Sequence, residues 1–177
     1  MMKKLFTLIV LTIAFGAATA QTAENRFSIP INVTLNHYDG ALGNEIFKLK
    51  RASAGFETGL KYYLNPSFNL AGNFSAFRLG YDAFKIDAQD FDLSLEYKFN
   101  NGNILDEDSR WKPFITAGLG FIHDIHFEDQ NNYFSIPFGA GVRYQFSEVV
   151  DGLVQTRYKA TTDKDVTNYL TTSIGLV

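Results

Sequence analysis

The sequence predicts an all-β fold, an eight-stranded antiparallel up-and-down transmembrane β-barrel. Three observations carry the prediction. Apolar and polar residues alternate with period two through most of the chain, and no helical period of any length appears. One face of the alternating runs is oily and almost uncharged, while the other combines glycine and serine with a few charges. The first residues carry an export signal.

The runs can be taken in order. Phe27, Ile29, Ile31, Val33 and Leu35 alternate with Ser28, Pro30, Asn32, Thr34 and Asn36. From Ala52, the even positions are Ala, Ala, Phe, Thr, Leu, Tyr and Leu, against Ser53, Gly55, Glu57, Gly59, Lys61 and Tyr63. The third run, from Phe68 to Arg78, is less regular: Phe68, Leu70 and Phe74 stand against Asn69, Asn73 and Ser75. The fourth is the sharpest, with Phe91, Leu93, Leu95, Tyr97 and Phe99 between Asp90, Asp92, Ser94, Glu96 and Lys98. The fifth sets Ile115, Ala117, Leu119 and Phe121 opposite Thr116, Gly118 and Gly120. The sixth, YFSIPFGAGVRYQF, puts Phe134, Ile136, Phe138, Ala140, Val142, Tyr144 and Phe146 on one face and Gly139, Gly141 and Arg143 on the other. The seventh opposes Val154, Thr156 and Tyr158 to Gln155, Arg157 and Lys159, and the eighth opposes Leu170, Thr172, Ile174 and Leu176 to Thr171, Ser173 and Gly175. Most runs are near ten residues, and a tilted strand crosses a bilayer in roughly 9–11.

The connections alternate in length. Short turns near Asn65-Pro66 and Ser147-Glu148 face one side, and the polar loops YDGALGNEIFKLKR, LGYDAFKID, HDIHFEDQNN and TTDKDVT face the other. The long link NNGNILDEDSRWKP is expected on the side of the short turns. Short periplasmic turns and longer outer loops fit a barrel of the outer membrane.

The leader has all three parts of a secretory signal. MMKK gives positive charge, LFTLIVLTIAF an apolar core too short to span about 30 Å as a helix, and Ala18-Thr19-Ala20 a cleavage pattern. Residues 1–20 are thus expected to be removed, leaving a barrel domain over 21–177. Without Lys3 and Lys4 the basic residues fall from 16 to 14 against 19 acidic ones, for a formal charge of −5. No basic patch with interleaved aromatics is present, so nucleic acid is not expected as a partner. Cysteine is absent, which removes both disulfides and a lipid-modified cleavage site.

Alternation alone also fits a soluble barrel with an apolar, ligand-binding interior. The polar face decides against it. It carries Gly55, Gly59, Gly118, Gly120, Gly139, Gly141 and Gly175, residues that weaken an open strand surface but make room inside a narrow barrel filled by its side chains. The other face has the low charge that lipid demands, since Arg or Lys at mid-membrane costs about 2–4 kcal/mol. Only a closed barrel satisfies strand backbone groups there. Tyr62, Tyr97, Phe99, Tyr144 and Phe146 lie near strand ends on the oily face and suit an interfacial aromatic girdle, although β-propensity also favours them there.

This inside-out assignment sends charge into the lumen. Glu57, Lys61, Glu96, Lys98, Arg143 and Arg157 all point inward, and because unpaired charge in a tight interior is costly they are expected to pair. Arg143 and Arg157 are predicted to reach across to Glu57 and Glu96. Such a cluster either fills and orders the lumen or gates a narrow water path.

On these residues the chain resembles the small eight-stranded outer-membrane barrels, the group that contains the transmembrane domain of OmpA. WKPFITAGLGF, FGAGVRYQF and TNYLTTSIGL carry the resemblance, which covers most of the chain after the leader. It implies a barrel in the outer membrane of a Gram-negative cell, a charged lumen that includes Glu57, Glu96, Arg143 and Arg157, and surface-exposed loops. Lipid and the barrel-assembly machinery are the implied partners, with a monomer as the default state and no cofactor. Many relatives continue into a peptidoglycan-binding domain and end the barrel on an aromatic residue. This sequence stops at Ile174-Gly175-Leu176-Val177, so neither a cell-wall tether nor that assembly signal carries over.

Chemistry is sparse. In FIHDIHFEDQ, His123, Asp124, His126, Glu128 and Asp129 are zinc-type ligands, but positions i and i+3 of a strand face opposite ways, so no metal site is assigned. Some small barrels modify lipids with a histidine, a serine and an acid. His37, His123 and His126, with Ser75 and Ser135, show no recognisable triad spacing, and no enzymatic role is expected. The loop containing Ile46, Phe47 and Leu49 offers a binding surface on a rigid scaffold. The expected role is structural, with at most weak pore activity. A surface adhesin is the first alternative and a lipid-modifying enzyme the second.

Overall fold

The computed structural model describes residues 26–38, 52–81, 84–124, 132–161 and 168–177. Its strand segments are β1 Phe27–Ser28, β2 Ile31–Tyr38, β3 Ser53–Tyr63, β4 Phe68–Tyr81, β5 Phe84–Lys98, β6 Trp111–Asp124, β7 Asn132–Gln145, β8 Asp151–Thr161 and β9 Tyr169–Leu176. All pairings are antiparallel between neighbours in the chain, β2 pairs with β9, and the β3–β4 pairing completes the ring. The nine segments make eight staves, because β1 and β2 are two pieces of one. Phe27 lies opposite Tyr62 and Ile31 opposite Thr58, the same register on both sides of Pro30. Proline has no N–H for the ladder, so the first run, continuous in sequence, is interrupted there.

Burial follows the predicted alternation around the ring. Asn32, Thr34 and Asn36 on β2, Asp90 to Lys98 at even positions on β5, and Gln155, Arg157 and Lys159 on β8 are enclosed. Val33, Leu93, Phe134 and Val154 are exposed, and Leu119 reaches 70 %. An interior this polar and an exterior this oily are the reverse of a soluble barrel, and they match lipid outside and a filled lumen inside.

Two expectations need correction. LGYDAFKID is not a loop: β4 and β5 stay paired up to Tyr81 opposite Phe84, which makes them 14 and 15 residues long. The polar composition suggests a loop, but backbone pairing across a hairpin does not depend on side-chain polarity. The inward face is also not only small and polar. Phe77, Ala88, Ile122 and Tyr169 form a buried apolar layer at the loop end, with Tyr133 packed against it. Phe114, Leu153 and Val177 form another at the turn end. Ala71 and Phe77 point inward too, which is why the third run looked irregular.

The turn end is built as expected. Asn65 Oδ1 accepts from the N–H groups of Ser67 and Phe68, both at 2.9 Å, a side chain standing in for backbone in a tight turn. The 99–110 link lies at this same end, where the Arg110 carbonyl accepts from Gln145 N at 2.9 Å. Gly102 in the link has φ 79°, a conformation that favours glycine. Around this end runs an aromatic belt: Phe27–Tyr62, Phe68–Tyr97, Tyr97–Phe99, Trp111–Tyr144 and Tyr144–Phe146 have centroids 4.8–5.4 Å apart. It includes all five girdle residues expected from the sequence.

The inward glycines act in two ways. A Cβ on Gly141 would meet the Phe114 ring at 2.5 Å, so this glycine makes room for a side chain. A Cβ on Gly139 would meet the Thr156 carbonyl oxygen at 2.1 Å, so this one permits close approach of a backbone.

Candidate functional site: the charged interior

Between the two apolar layers lies a network of ion pairs. Period-two geometry brings Glu57 and Lys61 inward from β3, Asp90, Asp92, Glu96 and Lys98 from β5, Arg143 from β7, and Arg157 and Lys159 from β8. Arg157, 1 % exposed, is the hub of the loop-side part. Its guanidinium bonds Glu57 through Nη2 and both Asp92 oxygens through Nη1, at 3.2 and 2.9 Å. Lys159 Nζ joins Asp92 at 3.0 Å to Asp90, and the Tyr169 hydroxyl donates to Asp90 at 3.1 Å. Neutral groups use the remaining carboxylate lone pairs. Asn32, Ser75 and Gln155 donate to Glu57 at 2.9–3.1 Å, and Asn73 donates to Asp92 at 2.8 Å.

The turn-side part is sparser. Lys61 bonds Glu96, Arg143 Nη1 lies 3.3 Å from the other Glu96 oxygen, and Asn69 donates to that oxygen at 3.3 Å. The Phe114 ring lies beneath both cations, with Arg143 Cζ at 4.9 Å and Lys61 Nζ at 5.2 Å from its centroid. Nearer the mouth, Lys112 reaches both Asp151 oxygens at 3.1 and 3.0 Å.

The predicted residues are therefore distributed as follows. Arg157 meets Glu57 and Arg143 meets Glu96 across the barrel. Lys61 completes the second group. Lys98 joins neither: among the described residues no ion pair includes it, and its ammonium sits 4.2 Å from the centre of the Tyr63 ring. The expectation that every lumenal charge pairs fails there. Asp90, Asp92 and Lys159 complete the larger network without having been singled out. Alternation placed all three inward, and only the cross-barrel geometry reveals their partners.

Other candidates separate. Ser75 and Ser135 are buried on the inward face, with Ser135 opposite Gly120. His123 stands on the outward face of β6, its Nδ1 2.8 Å from Asn132 Oδ1. Hydroxyl and imidazole thus lie on opposite sides of the wall. His37 is buried near the loop end of β2. His126, Glu128 and Asp129, the loop with Ile46, Phe47 and Leu49, and the leader 1–20 lie outside the described residues.

The sequence profile of the family described as "Outer membrane protein beta-barrel domain" matches residues 6–177. No curated protein matches the chain in sequence. Among solved structures, Neisserial surface protein A superposes with a TM-score of 0.60 at 18 % identity, covering 85 % of this chain and 93 % of its own. Ail, the attachment invasion locus protein of Yersinia pestis, in complex with the heparin analogue sucrose octasulfate, gives 0.55 at 16 % identity, with 85 % and 95 % covered. The outer membrane enzyme PagL gives 0.50 at 14 % identity, with 84 % and 97 % covered. A surface protein, an attachment protein and an enzyme share this architecture, so the likeness bears on fold and leaves activity to the site.

Proposed function

For a chain that belongs to the outer membrane protein β-barrel domain family, we propose a structural role in the envelope, carried by a barrel whose lumen is closed. The observation that supports this reading is the filling of the interior by opposite charges. Glu57, Asp90, Asp92 and Glu96 face Lys61, Arg143, Arg157 and Lys159, with apolar layers at either end. An interior filled by enclosed ion pairs does not present a free path to ions, and separating its charges is costly. Pore activity is at most weak. The chain acts as a monomer inserted by the barrel-assembly machinery, with no catalytic step. The opposite facing of Ser135 and His123 supports the last point.

The test has two parts. In planar bilayers the refolded protein is expected to give no steady open channel, and a sustained large conductance at low voltage overturns the closed lumen. In cells, deletion of the gene is expected to raise detergent sensitivity. Restoration by a chain in which residues 39–51 are shortened supports the structural role. If detergent sensitivity is unchanged and attachment to host or matrix surfaces is lost instead, the loops carry the function and the protein is an adhesin.

A further inference from the structure

The turn-side mouth of the lumen holds more positive charge than its own carboxylates neutralise. Lys61, Lys98, Lys112 and Arg143 converge there around Phe114. Lys98 lies opposite Phe114 in the β5–β6 register, and Lys112 lies opposite Arg143 in the β6–β7 register. Two carboxylates sit at ion-pair distance, Glu96 shared by Lys61 and Arg143, and Asp151 taken by Lys112. Glu96 and Glu107, the latter on the 99–110 link, act on Lys98 through space without forming an ion pair with it, against the repulsion of Arg143 and Lys112. Lys98 is 7 % exposed. Arg143 Nε is buried with no hydrogen-bond partner among the described residues, as is Arg157 Nε on the loop side, so the excess of positive charge is what sets this end apart. A cation enclosed beside other cations and outside any ion pair is costly to hold there.

We propose that this mouth is a binding site for a phosphate-class oxyanion, held by Lys98 and Arg143 with Phe114 as its floor. A tetrahedral oxyanion supplies the missing negative charge. Its several acceptor oxygens suit an ammonium and a guanidinium edge together. The loop-side network lacks this excess of positive charge, because its carboxylates Glu57, Asp90 and Asp92 outnumber Arg157 and Lys159.

The test uses the barrel refolded in a maltoside detergent and phosphate-free buffer, titrated with inorganic phosphate while backbone amides of 98–115 are followed by NMR. Saturable shifts confined to the mouth are expected. Lys98→Gln should weaken binding about tenfold or more, as loss of a charge-assisted bond implies. Glu107→Gln should strengthen it by removing a competing negative charge. Both variants must keep the heat-dependent gel mobility of the folded barrel. Nanodiscs whose only phosphate is in the lipid distinguish the sources. Saturation of the same resonances there without added phosphate assigns the site to lipid headgroups, and dependence on added phosphate assigns it to a soluble anion. No saturable shift in either setting, or equal binding by Lys98→Gln, overturns the proposal.

Discussion

The two halves of the lumen neutralise buried charge differently. On the loop side, Arg157 and Lys159 are enclosed by Glu57, Asp90 and Asp92, and each of these acids also accepts from a neutral side chain. On the turn side, Lys61 and Arg143 share one carboxylate, Glu96, and lean on an aromatic ring. The first arrangement is rich in charged pairs, with only Asp90 Oδ1 and Arg157 Nε of its charged groups left without a hydrogen-bond partner among the described residues. The second leaves a cation, Lys98, outside any ion pair among the described residues, set over the Tyr63 ring. Acids outnumber bases at one level of the lumen, and bases outnumber acids at the other.

Substitutions can sharpen this contrast, beginning with the largest effect. Arg157→Met removes the hub and leaves Glu57 and Asp92 short of a counter-ion. By analogy with broken buried pairs it should destabilise by about 3–5 kcal/mol, read as a loss of refolding yield and of the heat-dependent gel shift. Arg143→Met should cost clearly less, because Glu96 keeps Lys61 and Asn69. Equal losses in urea titrations of the two variants would erase the distinction between the halves.

Phe114→Ala removes the floor of the turn-side group and a member of its apolar layer. Large-to-small changes of this kind cost about 3–5 kcal/mol in compact cores. Here the loss should come with a measurable rise in single-channel conductance, whereas a quiet bilayer trace would mean that the loop-side network alone seals the lumen. Gly139→Val tests the wall and not its contents. Its Cβ would lie 2.1 Å from the Thr156 carbonyl oxygen, so β7 and β8 must part. Overpacking predicts about 1–3 kcal/mol and slower refolding in gel-shift kinetics. The smallest effect belongs to Arg78→Ala. Its bidentate pair with Asp87, at 2.6 and 3.0 Å, is exposed above the barrel, and surface pairs contribute little, so the urea midpoint should not move.

The sites of strongest disagreement between sequence and structure share a physical cause. LGYDAFKID has the composition of a loop, yet β4 and β5 remain paired through it, because backbone bonding across a hairpin is indifferent to side-chain polarity. Phe77, Phe114 and Ile122 look like misplaced lipid-facing residues until the ring closes and layers them across the lumen. Asp90, Asp92 and Lys159 are visible as inward charges in the alternation, but nothing local gives their partners.

By itself the sequence determined the facing of most strand positions, though not of Phe77, Phe114 and Ile122, along with where the short turns lie and that Arg143 and Arg157 enter a charged interior. Those properties follow from a period of two along a single strand, which needs no knowledge of neighbouring strands. Tertiary structure alone decided the pairing. Arg157 and Glu57 are 100 residues apart in the chain and meet only because the sheet closes. Lys98 lies on the same strand as Glu96 and on the same face, yet it ends over Tyr63, because Lys61 and Arg143 reach that carboxylate from other staves. Facing is a local property of the backbone. Partnership across a lumen depends on ring closure and strand register, which no single run contains.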